Sequence, residues 1–156
     1  IFILVMKERN LFYIQEVKIS YANSIPTRDR AKITSSTCAA EIVREAIAEC
    51  IDYNEFFYII LLNNANDVLG ISKISEGTPT GTMVDGKMIF QRALLAHASA
   101  LIFVHNHPSG KLIPSEADKK LTRKMQDASK LLDIKILDHI IITKESYFSF
   151  ADEGII

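Results

Sequence analysis

Two histidines and an aspartate lie close together in the sequence, with a spacing suited to holding a metal ion. His105 and His107 follow the apolar run at residues 100–104, and Asp118 comes after ten intervening residues. Side chains two positions apart on extended backbone point to the same side, and a loop can return a carboxylate to them. Three protein ligands leave a fourth position open, which is typical of a catalytic rather than a structural zinc site. The pattern therefore predicts a metal-dependent hydrolase.

The same residues also have simpler interpretations. A single histidine is usually a surface or core residue, and an aspartate three positions after a serine usually belongs to a helix cap. Ser115 and Asp118 fit that capping pattern, with the serine before the helix and the acid at its third position. Such a cap can also direct Asp118 towards the histidines, so the two interpretations are compatible. Pro108, Gly110 and Pro114 indicate a shaped turn between them.

The elements that would position these residues alternate along the chain. Patterns of apolar residues predict strands at residues 11–20, 56–62, 68–74, 100–104, 134–143 and 147–150. They predict helices from Ser35 or Ser36 to about residue 51, over about 85–99, and over 115–132. Such alternation favours an α/β fold, with a mixed β-sheet and flanking helices in layers.

Two of the predicted helices carry apolar residues at helical spacing, as expected for packing against a sheet. In the first helix this set is Ala39, Ile42, Val43, Ala46, Ile47 and Cys50. In the second it is Met88, Ile89, Ala93, Leu94, Leu95 and Ala96.

Length and composition favour one globular domain over residues 1–156, with residues 1–10 as an N-terminal extension and Met6 as an alternative start. The chain is 48% hydrophobic and 24% charged, and no apolar run approaches the ~20 residues of a membrane helix. Residues 1–6 lack the features of a signal peptide. Cys38 and Cys50 fall in one predicted helix, where a disulfide is implausible, so we expect buried thiols and a cytoplasmic protein. A net charge of −1 disfavours a general nucleic-acid binder.

The motif resembles that of the RadC family, within the wider JAB/MPN group of JAMM metalloproteases. The similarity includes HNHPSG at 105–110, Pro-Ser at 114–115, Asp118 and Thr122, and it extends over about residues 35–154. It also covers Glu55, Gly77 and Thr78, LDHIII at 137–142, and residues 147–149. Many RadC proteins carry an N-terminal helical region that resembles a helix-hairpin-helix DNA-binding module. By this comparison the chain would be a short version without it.

The resemblance implies a cytidine-deaminase-like architecture and specific roles for five residues. His105, His107 and Asp118 would hold one Zn²⁺, and Glu55 would be the general base for the zinc-bound water. Ser115 would donate a hydrogen bond to the developing oxyanion. The substrate would be a peptide or protein with a peptide or isopeptide bond. Without the resemblance, Glu55 would be interpreted as a solvated residue at the start of a strand.

Several other polar residues have supporting roles or none in this interpretation. His139 is expected to be a satisfied core histidine or to support a ligand, Asp138 to bond backbone or orient a ligand, and Thr122 to support the site. His97 is expected at the surface or in packing. Lys119, Lys120, Arg123 and Lys124 form a basic face on the third helix, which is either simply solvated or attracts an acidic partner or nucleic-acid phosphate.

Three other functions compete with a zinc peptidase. The RadC family is labelled for DNA repair, so the alternative is a DNA-associated accessory protein without protease activity. A family label does not establish an activity. A nucleoside deaminase would need HxE and a later PCxxC pair, and both are missing. An HNH nuclease would spread its motif over a much longer unit than residues 105–107. No membrane partner is expected.

Overall fold

A five-stranded mixed sheet lies at the centre of the chain in a computed structural model. The structure describes the backbone of residues 2–7 and 10–15, and residues 20–22, 24–78 and 83–156 in full. The strands are β1 (Phe2–Lys7), β2 (Asn10–Gln15), β3 (Phe56–Leu62), β4 (Val68–Glu76), β5 (Ala100–Asn106), β6 (Lys135–Ile142) and β7 (Tyr147–Ser149). The helices are α1 (Ser36–Ala46), α2 (Gly86–Leu95) and α3 (Glu116–Lys130), and a short 3₁₀ helix covers Thr27–Asp29.

The sheet has the strand order β4-β3-β5-β6-β7. Strands β5 and β6 are parallel and are connected through α3, whereas the other neighbours in the sheet are antiparallel. Strands β1 and β2 pair with each other in a separate two-stranded sheet. The expected α/β fold with a mixed sheet and flanking helices is therefore confirmed.

Helices cover both faces of the sheet, which explains why β3 and β5 are apolar along almost their whole length. On one face, α1 contributes Ala39, Ala40 and Val43 to a core that includes Ile102 and Val104. On the other face, a second core joins residues of α2 and α3 to Phe57, Ile59, Leu61, Leu101 and Phe103. Strands buried on both faces read as continuous hydrophobic runs. Alternation along β5 therefore places His105 on the side of α2 and α3.

Polar caps begin the helices where the sequence predicted them. The Ser35 side chain accepts a hydrogen bond from the Cys38 amide, and the Asp85 carboxylate accepts one from the Lys87 amide. The helix ends were predicted too late. Helix α1 ends at Ala46 rather than near residue 51, and α2 ends at Leu95 because His97 takes a left-handed conformation with φ of 53°.

The helix faces also differ from the prediction in two places. Ala46 is exposed and Leu94 is 52% exposed, so neither packs on the sheet, although both fit an apolar pattern. Cys38 and Cys50 are unpaired, as expected, but they are half-buried rather than buried. The predicted strand at 11–20 is observed as β2 up to Gln15, and residues 16–19 lie outside the described residues. Strand β1 was not predicted as a strand.

Candidate metal centre

The end of β5 presents both histidines on one side of the sheet. Phe103 and His105 alternate with Val104 and Asn106, so His105 and His107 point the same way. Their rings are in contact, with centroids 4.8 Å apart. His105 is only 2% exposed, whereas His107, just beyond the strand, is half-buried. The i, i+2 spacing thus brings two imidazoles to the mouth of a buried strand.

A tight turn after His107 fixes the orientation of its ring. The Gly110 amide donates to the His107 carbonyl at 3.0 Å, and Gly110 has a φ of +76°, which glycine adopts without strain. The turn returns the Lys111 carbonyl oxygen to 2.6 Å from Nδ1 of His107. Because a carbonyl oxygen only accepts hydrogen bonds, Nδ1 carries the proton. In the neutral form of the ring, Nε2 of His107 then presents a lone pair towards His105.

The N-terminus of α3 directs one oxygen of Asp118 to the histidines. The backbone amide and the hydroxyl of Ser115 both donate to Oδ2 of Asp118 at 2.7 Å, and the Asp118 amide donates to Oγ of Ser115. This reciprocal capping box occupies Oδ2 and leaves Oδ1 3.5 Å from Nε2 of His105. The cap and the site interpretations of Ser115 and Asp118 are therefore both consistent with the structure.

Three possible ligand atoms converge at this point. Nε2 of His105 and Nε2 of His107 are 3.0 Å apart, and one ligand atom from each of His105, His107 and Asp118 lies within 4.8 Å of the others. Ligands on a tetrahedral zinc with Zn–N bonds of 2.0–2.1 Å are about 3.3 Å apart. The spacing and the chemistry of these three donors fit a single zinc-sized ion.

Glu55 lies in the same cavity as two of the three possible ligands. The cavity measures about 150 Å³ and is lined by Glu55, Phe57, Val84, His105, Ala117, Asp118 and Leu121. The antiparallel pairing of Phe57 with His105 explains this placement, because it brings the start of β3 to the end of β5. Glu55 lies just before β3 on this edge of the sheet. The predicted site residues are thus brought together.

Asn106 positions the Glu55 segment, and this role was missed in the sequence. Asn106 is fully buried on the opposite face from the histidines. Its amide nitrogen donates to the carbonyls of Ile51 and Asn54, and its side-chain oxygen accepts from the Phe56 amide at 2.7 Å. A polar residue at the end of an apolar strand was the only signal for this role.

His139 and Thr122 lie directly behind His105. His139 is fully buried on β6, and its Nε2 is 2.9 Å from Nδ1 of His105. Its other nitrogen lies 2.6 Å from the hydroxyl of Thr122, one helical turn after Asp118. His139 is therefore a core histidine in contact with a candidate ligand, as expected. His97 is exposed and follows α2 rather than lying within it.

Burial keeps the two inner histidines neutral. Desolvation lowers the pKa of His105 to about 4, although the nearby Asp118 carboxylate partly offsets the effect. Desolvation also holds the pKa of His139 well below its usual value. Both rings are therefore neutral at pH 7, which is the form that binds metal ions.

Asp138 anchors the backbone of His139 and provides a test of how this part of the core is stabilised. Its carboxylate accepts from the His139 amide at 2.7 Å, the Ser149 hydroxyl at 2.6 Å and the Ala151 amide at 2.9 Å. We expect Asp138→Ala to lower the free energy of unfolding by about 2–4 kcal/mol, because buried donors lose their acceptor. Urea denaturation measures this change.

Asp138→Asn is the matched variant for this prediction, since its amide oxygen can still accept from the two backbone amides. It should lose less stability than Asp138→Ala.

Burial raises the pKa of Asp138, so above its ordinary pKa the folded chain binds more protons at this site than the unfolded chain. The contribution of Asp138 to stability therefore falls as the pH rises through the raised pKa, and Asp138→Asn should lack that dependence. Equal stability of all three proteins would contradict this account.

Comparisons with known proteins identify a family and several relatives that this chain resembles. Residues 33–155 match the family described as the RadC-like JAB domain. A UPF0758 protein of Flavobacterium johnsoniae is 42% identical over 96% of this chain and 68% of its own length. UPF0758 proteins of Paracidovorax citrulli and Clostridium acetobutylicum are 41% and 37% identical, over 66% and 82% of this chain.

The chain spans only 44% and 55% of the length of these last two relatives. Among the residues that the structure describes, every helix is too short or too polar to cross a lipid bilayer. The family match covers both histidines, Asp118 and Glu55, and it includes the whole five-stranded sheet. The chain therefore belongs to the family of RadC-like JAB domains.

Proposed function

We propose that this chain is a zinc-dependent hydrolase that cleaves peptide or isopeptide bonds. The observation that carries the proposal is the convergence of His105, His107 and Asp118 within 4.8 Å beside a cavity that Glu55 also lines. Family membership supports a hydrolase-like site, and the donor set supports zinc. Two imidazoles and one carboxylate leave a coordination position open, as catalytic zinc sites require.

A bound zinc ion would act as a Lewis acid and lower the pKa of a water molecule towards about 7. The remaining chemistry belongs to the chain. Glu55 would accept a proton from the attacking water and return it to the leaving amine, as a general base and then a general acid. The partial enclosure of the cavity by Phe57, Val84 and Leu121 would limit access of bulk water and strengthen these electrostatic interactions.

In this reaction the first role of Ser115 would be to orient Asp118, and only the second would be to donate a hydrogen bond to an oxyanion. Its hydroxyl proton points to Oδ2 of Asp118, and a hydroxyl has one proton to donate. A role as oxyanion donor, which the family resemblance implies, would require the hydroxyl to turn away from Asp118 during the reaction. Ser115 then has two proposed roles, orienting the carboxylate and donating to the oxyanion.

Metal removal tests the proposed activity. We expect purified protein with one equivalent of zinc to hydrolyse a fluorescence-quenched peptide library or a peptide containing a lysine isopeptide bond. Dialysis against a chelator should abolish the activity, and added zinc should restore it, because the water is activated only near the ion. Cleavage that persists after chelation would contradict a metal-dependent mechanism.

DNA binding is the second candidate function, and the exposed cations of α3 favour it. Lys120, Arg123 and Lys124 are exposed beside the site, whereas Lys119 is paired with Glu116 at 2.8 Å. If these three cations contact phosphates, affinity for duplex DNA should fall with salt with a log–log slope of about −2.7. Fluorescence anisotropy of a labelled duplex measures the slope. Lys120→Glu should weaken binding more than Lys87→Glu on α2, which changes the charge by the same amount, and equal effects would contradict a specific role for α3.

A further inference from the structure

A chain of hydrogen bonds runs from the His105 ring into the protein, away from the candidate metal position. Nδ1 of His105 contacts Nε2 of His139 at 2.9 Å, and Nδ1 of His139 contacts the Thr122 hydroxyl at 2.6 Å. The Thr122 hydroxyl also lies 2.7 Å from the carbonyl oxygen of Asp118. His105, His139 and Thr122 are each at most 2% exposed, so neighbouring protein groups determine where the protons lie.

The Asp118 carbonyl determines the direction in which these hydrogen bonds are donated. A carbonyl oxygen only accepts, and a threonine hydroxyl has one proton, so Thr122 donates to Asp118. The second contact of the hydroxyl is then as an acceptor, which places the His139 proton on Nδ1. Nε2 of His139 consequently accepts from Nδ1–H of His105. The remaining nitrogen of His105, Nε2, is left with a lone pair that faces His107 and Asp118.

The opposite direction would block metal binding. If Thr122 donated to His139, each proton would shift, and Nε2–H of His105 would point at Nε2 of His107. That order would satisfy the 3.0 Å contact between the two histidines. It would also leave two acceptors, the Thr122 hydroxyl oxygen and the Asp118 carbonyl, 2.7 Å apart without a proton between them. Each direction thus leaves one pair of acceptors without a proton between them. In the direction set by Thr122 that pair is Nε2 of His105 and Nε2 of His107, where a cation can bind both lone pairs, so this direction leaves His105 open to an ion.

We propose that Thr122 and His139 are positioning residues that hold His105 in the tautomer able to bind a metal ion. The inference rests on the proposed metal site. It adds that the site depends on a hydroxyl and an imidazole that do not touch the ion. This series of hydrogen bonds, called the relay below, also connects two candidate ligands. It begins at the His105 ring and ends at the backbone carbonyl of Asp118. Hydrogen-bonded partners of this kind fix the tautomer and orientation of ligating histidines.

Nitrogen NMR of the metal-free protein tests the tautomer directly. Long-range ¹H–¹⁵N correlation distinguishes the protonated from the unprotonated ring nitrogen, and the chain has only four histidines. We expect the protons of His105, His107 and His139 on Nδ1. The exposed ring of His97 serves as the reference. The control variant His97→Asn removes that ring and so identifies its signals. A His105 proton on Nε2 in the wild-type metal-free protein would overturn the inference.

Matched variants separate the effect of the Thr122 hydroxyl from the effect of side-chain packing. Thr122→Val keeps the branched shape without the hydroxyl, and it should move the His105 proton to Nε2 and weaken zinc affinity 10- to 100-fold. Thr122→Ser should restore both. His139→Phe keeps a ring among Phe103 and Phe150, which lie 5.7 and 4.8 Å from it, but removes the acceptor. In this variant too, the His105 proton should no longer be held on Nδ1. The melting temperature shows whether the variant is folded.

The outcomes distinguish this inference from the proposed function. An unchanged His105 tautomer and zinc affinity in folded Thr122→Val and His139→Phe would overturn the positioning role, even if wild-type protein binds zinc. The expected tautomers and their shift in Thr122→Val, together with no zinc binding by wild type, would confirm the relay and contradict the metal site.

Discussion

Glu55→Gln should reduce the rate of hydrolysis about 10²- to 10⁴-fold, the usual contribution of a general base, while leaving zinc bound. Glutamine has nearly the shape of glutamate but cannot accept a proton at neutral pH. Glu55 lines the cavity beside His105 and Asp118 but is outside the group of three possible ligands. The loss should therefore appear in kcat, and the Kd for zinc should stay within a few-fold of wild type. Steady-state kinetics and a competition assay with a zinc indicator measure the two quantities.

The control for this prediction is an exposed glutamate away from the cavity. Glu49 lies in the turns after α1 and is exposed, so Glu49→Gln should leave both kcat and zinc affinity unchanged. Equal activity of Glu55→Gln and wild type would remove Glu55 from the proposed mechanism. A large loss of zinc from Glu55→Gln would instead make residue 55 a ligand, which would contradict its assignment as the base.

The grouping of His105, His107 and Asp118 could be predicted from the sequence because it depends on local rules. Strand alternation placed His105 and His107 on one side, and the capping pattern placed Asp118 at the start of α3. Both rules act over a few residues, so they hold without knowledge of the tertiary structure. The position of Glu55 was predicted only through the family resemblance, since β3 and β5 meet through a pairing that no local pattern specifies.

Features that depend on packing between distant elements were not predicted in detail. The contact of His139 with His105 depends on the register of β6, where Phe103 lies opposite His139. The buried role of Asn106 depends on carbonyl groups from the turns before β3. Helix α2 ends early because the chain turns at His97, where tertiary context overrides an apolar pattern that continues to Ala96.

Zinc should stabilise the folded chain strongly, and Asp118→Asn should remove most of that effect. An ion that binds only the folded state raises the free energy of unfolding by about 4 kcal/mol at a thousandfold excess over its Kd. A variant with a thousandfold weaker Kd gains only about 0.4 kcal/mol at the same zinc concentration. Asparagine retains an oxygen that can accept from the Ser115 amide and hydroxyl at the Oδ2 position. The cap of α3 is thus kept while the charged ligand oxygen is lost.

Urea denaturation with and without zinc separates the two roles of Asp118. In chelator, Asp118→Asn should lie within about 1 kcal/mol of wild type, because its helix cap survives. With zinc, wild type alone should gain stability, and His107→Ala should behave like Asp118→Asn, since each lacks one of the three donors. Asp127→Asn, an exposed change on the same helix, should gain as much as wild type. A zinc-induced gain that survives in both Asp118→Asn and His107→Ala would place the ion elsewhere on the chain, and the hydrolase proposal would then lose its catalytic centre.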